Sequence, residues 1–97
     1  MLKKANLTCE KNTLFLSGEL DFSNVMYFYE KSIPYINQWS DIIVDFSSLE
    51  VCNSAALALI VEWMKLVNLL NKPMHFSHLS TKLMSIAKVA GMDHLLV

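Results

Sequence analysis

The chain has 97 residues, a length that supports one modest core and excludes a second independent domain. It is 54% hydrophobic and 18% charged with a mean hydropathy of +0.36, so it carries more apolar side chains than so small a core needs, and part of the surplus is expected to face a partner. The net charge is -1 and all eight basic residues are lysine. Without a long-range positive field or a guanidinium for bidentate contacts, nucleic acid is not expected as a partner.

The opening MLKK has the charge of a signal-peptide start, but Asn6, Thr8, Glu10 and Lys11 deny it an apolar centre. Cys9 and Cys52 form neither a C-x-x-C pair nor a disulfide framework and read as reduced thiols, so a cytoplasmic protein is expected. ANLTCE and TLFLSGEL alternate apolar and polar side chains on either side of Lys11-Asn12, which predicts a hairpin whose second strand ends at Gly18. Asp21 and Ser23 then offer N-caps for an amphipathic helix carrying Val25, Met26, Phe28, Tyr29, Ile33 and Ile36, which Pro34 is expected to kink or end early.

DIIVDF is too short for a helix and rich in β-branched residues, so it is read as a buried central strand, with SSLEVCN after it as a loop. From Ser54 to about Asn71 the pattern is helical, and Lys72-Pro73 stops it. Glu62 and Lys65 interrupt this helix well short of the ~20 apolar residues needed to span a bilayer, so no direct membrane insertion is expected. MHFSH follows as a further strand. Ser80 caps a last helix with Leu83, Ile86, Ala87 and Ala90 on one face, Leu79 able to staple back onto Leu83 or Met84, and Gly91 as its C-cap. The resulting order, β-β-α-β-α-β-α, predicts an α/β fold with one mixed four-stranded sheet covered by three helices, all in a single domain over residues 1–97.

At about 100° per residue the central helix places Ala56, Ile60, Trp63, Val67 and Leu70 on one face, wide enough to cover a sheet. A second apolar strip of Leu57, Val61 and Met64 leads back to Ser54. It either packs under a neighbouring helix or forms a docking surface, where Met64 suits an adaptable contact. At the mouth of the helix stands Asn53-Ser54. Either side chain can cap the helix, and the same helix N-terminus tolerates a phosphate.

Asp21, Asp45 and Glu50 follow or end strands and are expected to flank Ser54 at one edge of the sheet, or else to serve as solvated acids and caps. His75 and His78 fall on opposite faces of a strand at this spacing, and no metal site is expected from them. His94 reads as a surface residue. Gly18 and Gly91 are the only glycines, so there is no phosphate loop, no Ser-His-Asp set can be assembled, and neither an enzyme nor a cofactor is expected.

Three segments, GELDFSNV, DIIVDFSSLEVCNSAALALIVEWMKL and KPMHFSHLSTKLMSIAKVAGMDHLL, resemble the STAS domain family, and nearly the whole chain from about Leu14 to Val97 takes part. SAALALIVEWMKL and IAKVAGMDHLL are most similar to the short, single-domain members that serve Mla-type phospholipid ABC transporters. The resemblance implies a non-catalytic cytoplasmic accessory subunit, peripheral to the inner membrane. It would bind the transporter's ATPase within a complex that includes a membrane permease, and so support outer-membrane lipid asymmetry. In the family's other branch the domain is an anti-sigma factor antagonist, switched off by phosphorylation of the residue matched here by Ser54. Asn53 stands where the family usually has Asp, which favours docking over phosphorylation. The residues implied in the partner contact are Asn53, Ser54, Leu57, Val61 and Met64.

Overall fold

The structure is a computed structural model and describes residues 4–96. Strands β1 (Asn6–Glu10) and β2 (Thr13–Leu20) form the antiparallel hairpin, with Lys11 at φ 56 in its tight turn. Strand β2 runs through Gly18 rather than ending there. Gly18 takes φ 84 at a register shift, a conformation a side chain would resist, and the bulge lets the strand go on to Leu20 with a new neighbour.

Helix α1 (Val25–Gln38) also outlasts its expected end at Pro34. Proline removes the donor that would reach the carbonyl of Glu30, and because both residues are exposed, water can satisfy that carbonyl. Lys72 secures the end of the same helix by donating from Nζ to the carbonyls of Ile36 and Asn37 at 2.7 and 2.8 Å.

Strand β3 (Ile42–Asp45) lies parallel to the first half of β2, and SSLEVCN is not all loop: Leu49–Cys52 form strand β4, parallel to the second half of β2. The sheet therefore has five strands rather than four. It remains a mixed sheet covered by three helices, with order β1-β2-β3-β5 and β4 paired to β2. Helix α2 (Ser54–Leu70) follows β4 through Asn53, and Asn71 closes it at φ 56 with Lys72 N–H donating to Val67 O at 2.9 Å. Strand β5 (Met74–Ser77) pairs parallel with β3.

Helix α3 (Thr81–Val89) begins on Ser80, whose hydroxyl accepts from Leu83 N–H at 3.0 Å. It ends on Gly91 at φ 71, with Met92 N–H donating to Ala87 O at 2.8 Å, as the sequence pattern requires. A 3-10 helix over Asp93–Leu96 follows and buries Leu96.

Burial alternates along β2. Leu14, Leu16 and Leu20 are fully covered, while Thr13, Phe15, Ser17 and Glu19 on the opposite face remain half-exposed. The core collects Phe28 and Ile36 from α1, Ile42 and Val44 from β3, and Ile60, Trp63 and Val67 from α2. Each such side chain contributes about 1.5–3 kcal/mol by leaving water. Leu70, expected on the same face, sits at the last turn and is exposed.

Candidate functional site

The parallel strands β2 and β4 end side by side, since Leu20 is paired with Cys52. The Asp21–Asn24 connection and the start of α2 are thereby brought to one edge of the sheet. Asn53, extended at φ -135 and ψ -159, is the N-cap of α2: its Oδ1 accepts from Ala55 N–H at 2.8 Å and its carbonyl from Ala56 N–H at 3.0 Å. Ser54 is the first helical residue. It is exposed, and its hydroxyl makes no hydrogen bond among the described residues. The choice between the two as cap is thus resolved, and the cap leaves Ser54 available for another role.

Asp21 follows Leu20 directly at this edge. Its Oδ1 accepts from the hydroxyl and the N–H of Ser23, and those two bonds hold the carboxyl below its usual range. The expected capping of α1 by Asp21 or Ser23 does not occur. Asn24 precedes the helix, and its side chain instead ties the loop together, accepting from Asp21 N–H at 3.0 Å and donating to Glu19 O at 2.7 Å.

Asp45 does not flank Ser54. It pairs with Phe15, five residues back along β2 from the partner of Cys52, which places it about 16 Å away along the strand. There Asp45 is buried, accepting from Ser47 N–H at 2.8 Å with Oδ2 3.0 Å from His78 Nδ1. Burial pushes this carboxyl up, but the bonds from Ser47 and His78 outweigh it and hold the group below its ordinary value. His78 lies beyond the end of β5 at φ 56, so it and His75 do not share a strand as expected. Glu50 lies on β4, exposed.

The strip that leads back to Ser54 divides. Leu57 is 6% exposed and belongs to the core, while Val61 and Met64 are half-buried. The exposed face that begins at Ser54 continues instead through Ala58, Glu62 and Lys65, with Leu69 81% exposed at its far end. Between α1 and α2, Val25, Met26, Tyr29, Ala58, Leu59 and Glu62 line an apolar groove of about 260 Å³. Met26 in this lining is 58% exposed, and Phe22, in the connection before α1, is 63% exposed. These two are the residues that sequence reasoning missed. DFSNVM reads as a cap and a helix start, and the only hint was the excess of apolar residues over the needs of the core.

A family model described as "Mlab, STAS domain" matches residues 5–97. Among solved structures, the chain is similar to one from the Acinetobacter MlaFEDB complex in an ATP-bound conformation, with 28% identity and TM-score 0.72 over 88% of this chain and 93% of that one. It is also similar to the anti-sigma factor antagonist SpoIIAA in its unphosphorylated form, with 19% identity and TM-score 0.73 over 97% of this chain and 86% of that one. For the phosphorylated form from Bacillus the identity is 19% and the TM-score 0.68, over 97% and 89% of the two chains. At that identity the two SpoIIAA structures show the fold alone. No curated protein matches. Matched along almost its whole length by that family model, and folded with one mixed sheet under three helices, the chain belongs to the STAS domain family.

Proposed function

We propose that this chain is a non-catalytic accessory subunit that docks on the cytoplasmic ATPase of an Mla-type phospholipid ABC transporter through the N-terminal end of α2. It would thereby support assembly and activity of the complex. The observation that carries the proposal is the 28% identity to a chain of the MlaFEDB complex, which extends over nearly the full length of both chains. The geometry favours docking over chemistry: an exposed hydroxyl lies one turn before Ala58 of an apolar groove, and Asp21 in the adjoining connection is held by its own loop. Among the described residues no helix is long and apolar enough to cross a membrane, so attachment to the bilayer would run through the partner.

Ser54 and Asn53 stand at the centre of the proposed contact, with Val61 and Met64 beside it. Leu57 supports the surface from beneath, because its side chain is already buried. Capture of the cognate ATPase subunit by the purified chain is the test. Ser54→Glu adds a charge at an exposed position without touching the Asn53 cap, and is expected to weaken capture at least tenfold while thermal unfolding stays that of the wild type. Undiminished capture by the variant would remove Ser54 from the contact.

The exposure of Ser54 at a helix N-terminus also favours a second reading, an anti-sigma factor antagonist switched by phosphorylation at that hydroxyl. Intact-mass measurement after incubation with ATP and lysate of the source cells discriminates between the two. A gain of one phosphate mapped to Ser54 supports the switch, and its absence supports constitutive docking.

A further inference from the structure

The charges of this chain are sorted along its sequence. Residues 12–64 hold seven of the nine acidic side chains and one of the eight lysines, while the remaining lysines lie in the N-terminal eleven residues or from Lys65 onward. Folding concentrates part of that acidic stretch around the α1–α2 groove. Glu62 lines it, Glu30 stands one turn beyond Met26 on α1, and Asp21 lies in the connection that leads into it, kept ionised by Ser23. Two lysines adjoin this rim, Lys31 beside Glu30 on α1 and Lys65 beside Glu62 on α2, so the three carboxylates keep only a small excess of negative charge. Lys4 lies across α1, in the cleft over β1, and Lys65 meets Glu62 only in an exposed pair at 3.5 Å, a contact of little net strength.

The groove itself is apolar, and its 260 Å³ falls below the roughly 300–1,000 Å³ of small-molecule sites. Its size suits one large side chain of a protein partner, and Met26 in its lining provides exposed apolar surface. A buried apolar anchor ringed by charge is the anatomy of an interface centre and its rim.

We infer that the α1–α2 groove is the specificity element of the docking surface, and that it receives a basic patch of the ATPase subunit. One apolar side chain of that patch enters between Met26 and Ala58, with lysines or arginines set against Asp21, Glu30 and Glu62. This inference rests on the docking reading above and extends it from the end of α2 to the flank shared with α1. The acidic rim steers the encounter and sets its register, so the association should be salt-dependent, and the apolar anchor slows dissociation.

The test measures binding of the purified chain to the cognate ATPase subunit at low and high salt. The variants are Met26→Asp, the pair Glu30→Lys with Glu62→Lys, and Lys82→Glu on α3 as a control; all four positions are exposed. Met26→Asp is expected to weaken binding about tenfold or more at either salt concentration. The double charge reversal should lower the association rate about tenfold at low salt and flatten the salt dependence, while Lys82→Glu binds as the wild type does. Wild-type binding by both groove variants, with Ser54→Glu still impaired, would overturn the groove and leave the docking reading standing. Failure of the wild-type chain to bind the ATPase at all would overturn both. Concentration-dependent dimerisation of the chain that Met26→Asp abolishes would overturn the basic partner in favour of a second copy.

Discussion

Trp63 shows how much of this core hangs on one polar contact. Its ring is fully buried, and Nε1–H donates to Ser32 Oγ at 2.8 Å, while the Ser32 hydroxyl donates in turn to Tyr29 O at 2.6 Å. Ser32→Ala leaves the indole N–H buried without an acceptor and is expected to cost about 1–3 kcal/mol, read as a lower urea midpoint at unchanged slope. Trp63→Phe removes the donor and some volume together, so the two losses should fail to add in the double variant. A second residue-scale prediction concerns Asp45. Its folded pKa is depressed, so its contribution to stability is complete above the unfolded value of 3.8 and is lost as pH falls through the folded value. Asp45→Asn should flatten the acid limb of the stability-pH curve below about pH 4, which urea titrations across pH would check.

The helix ends divide the labour between sequence and fold. Ser80 and Gly91 bracket α3 by local chemistry alone, and both ends were legible in the sequence. The start of α2 was legible as a pair, but which member caps it depends on β4 delivering Asn53 in an extended conformation. Asn53→Ala is expected to cost about 1 kcal/mol, and Asn53→Asp to keep the cap and gain a few tenths of a kcal/mol from the helix dipole; thermal unfolding at low salt would order the three proteins. At the end of α1 the sequence offered only Pro34 as a signal, whereas the helix is held four residues further by Lys72 from a distant part of the chain. Lys72→Met should therefore fray α1 first. Hydrogen exchange is expected to rise at residues 35–38 before α2 or the sheet is affected.

The whole molecule is a sheet with one covered face. β4 escaped notice because four residues interrupted by Glu50 carry too little periodic signal, and their pairing with Gly18–Leu20 is non-local. That strand is also what assembles the candidate site: without it, nothing would hold the Asp21–Asn24 connection beside Asn53. The expected gathering of three carboxylates around Ser54 failed for the same reason, since β3 and β4 share one flank of β2 in succession, placing Asp45 at the middle of the sheet.

The sequence by itself determined the α/β class, the three helices, four of the five strands and the family. These rest on hydrophobic period, caps and ordered motifs, which are local and add up along the chain. Only the tertiary structure decided which apolar residues are surplus. Leu57, on the second apolar strip, went into the core, while Phe22 and Met26 ended at the surface, Met26 in the lining of a groove. The physical reason is that helical periodicity states which residues share a face but not which flank a neighbouring helix will cover. Here α2 packs against both α1 and α3, Val61 and Met64 stay half-buried, and a groove remains between α1 and α2.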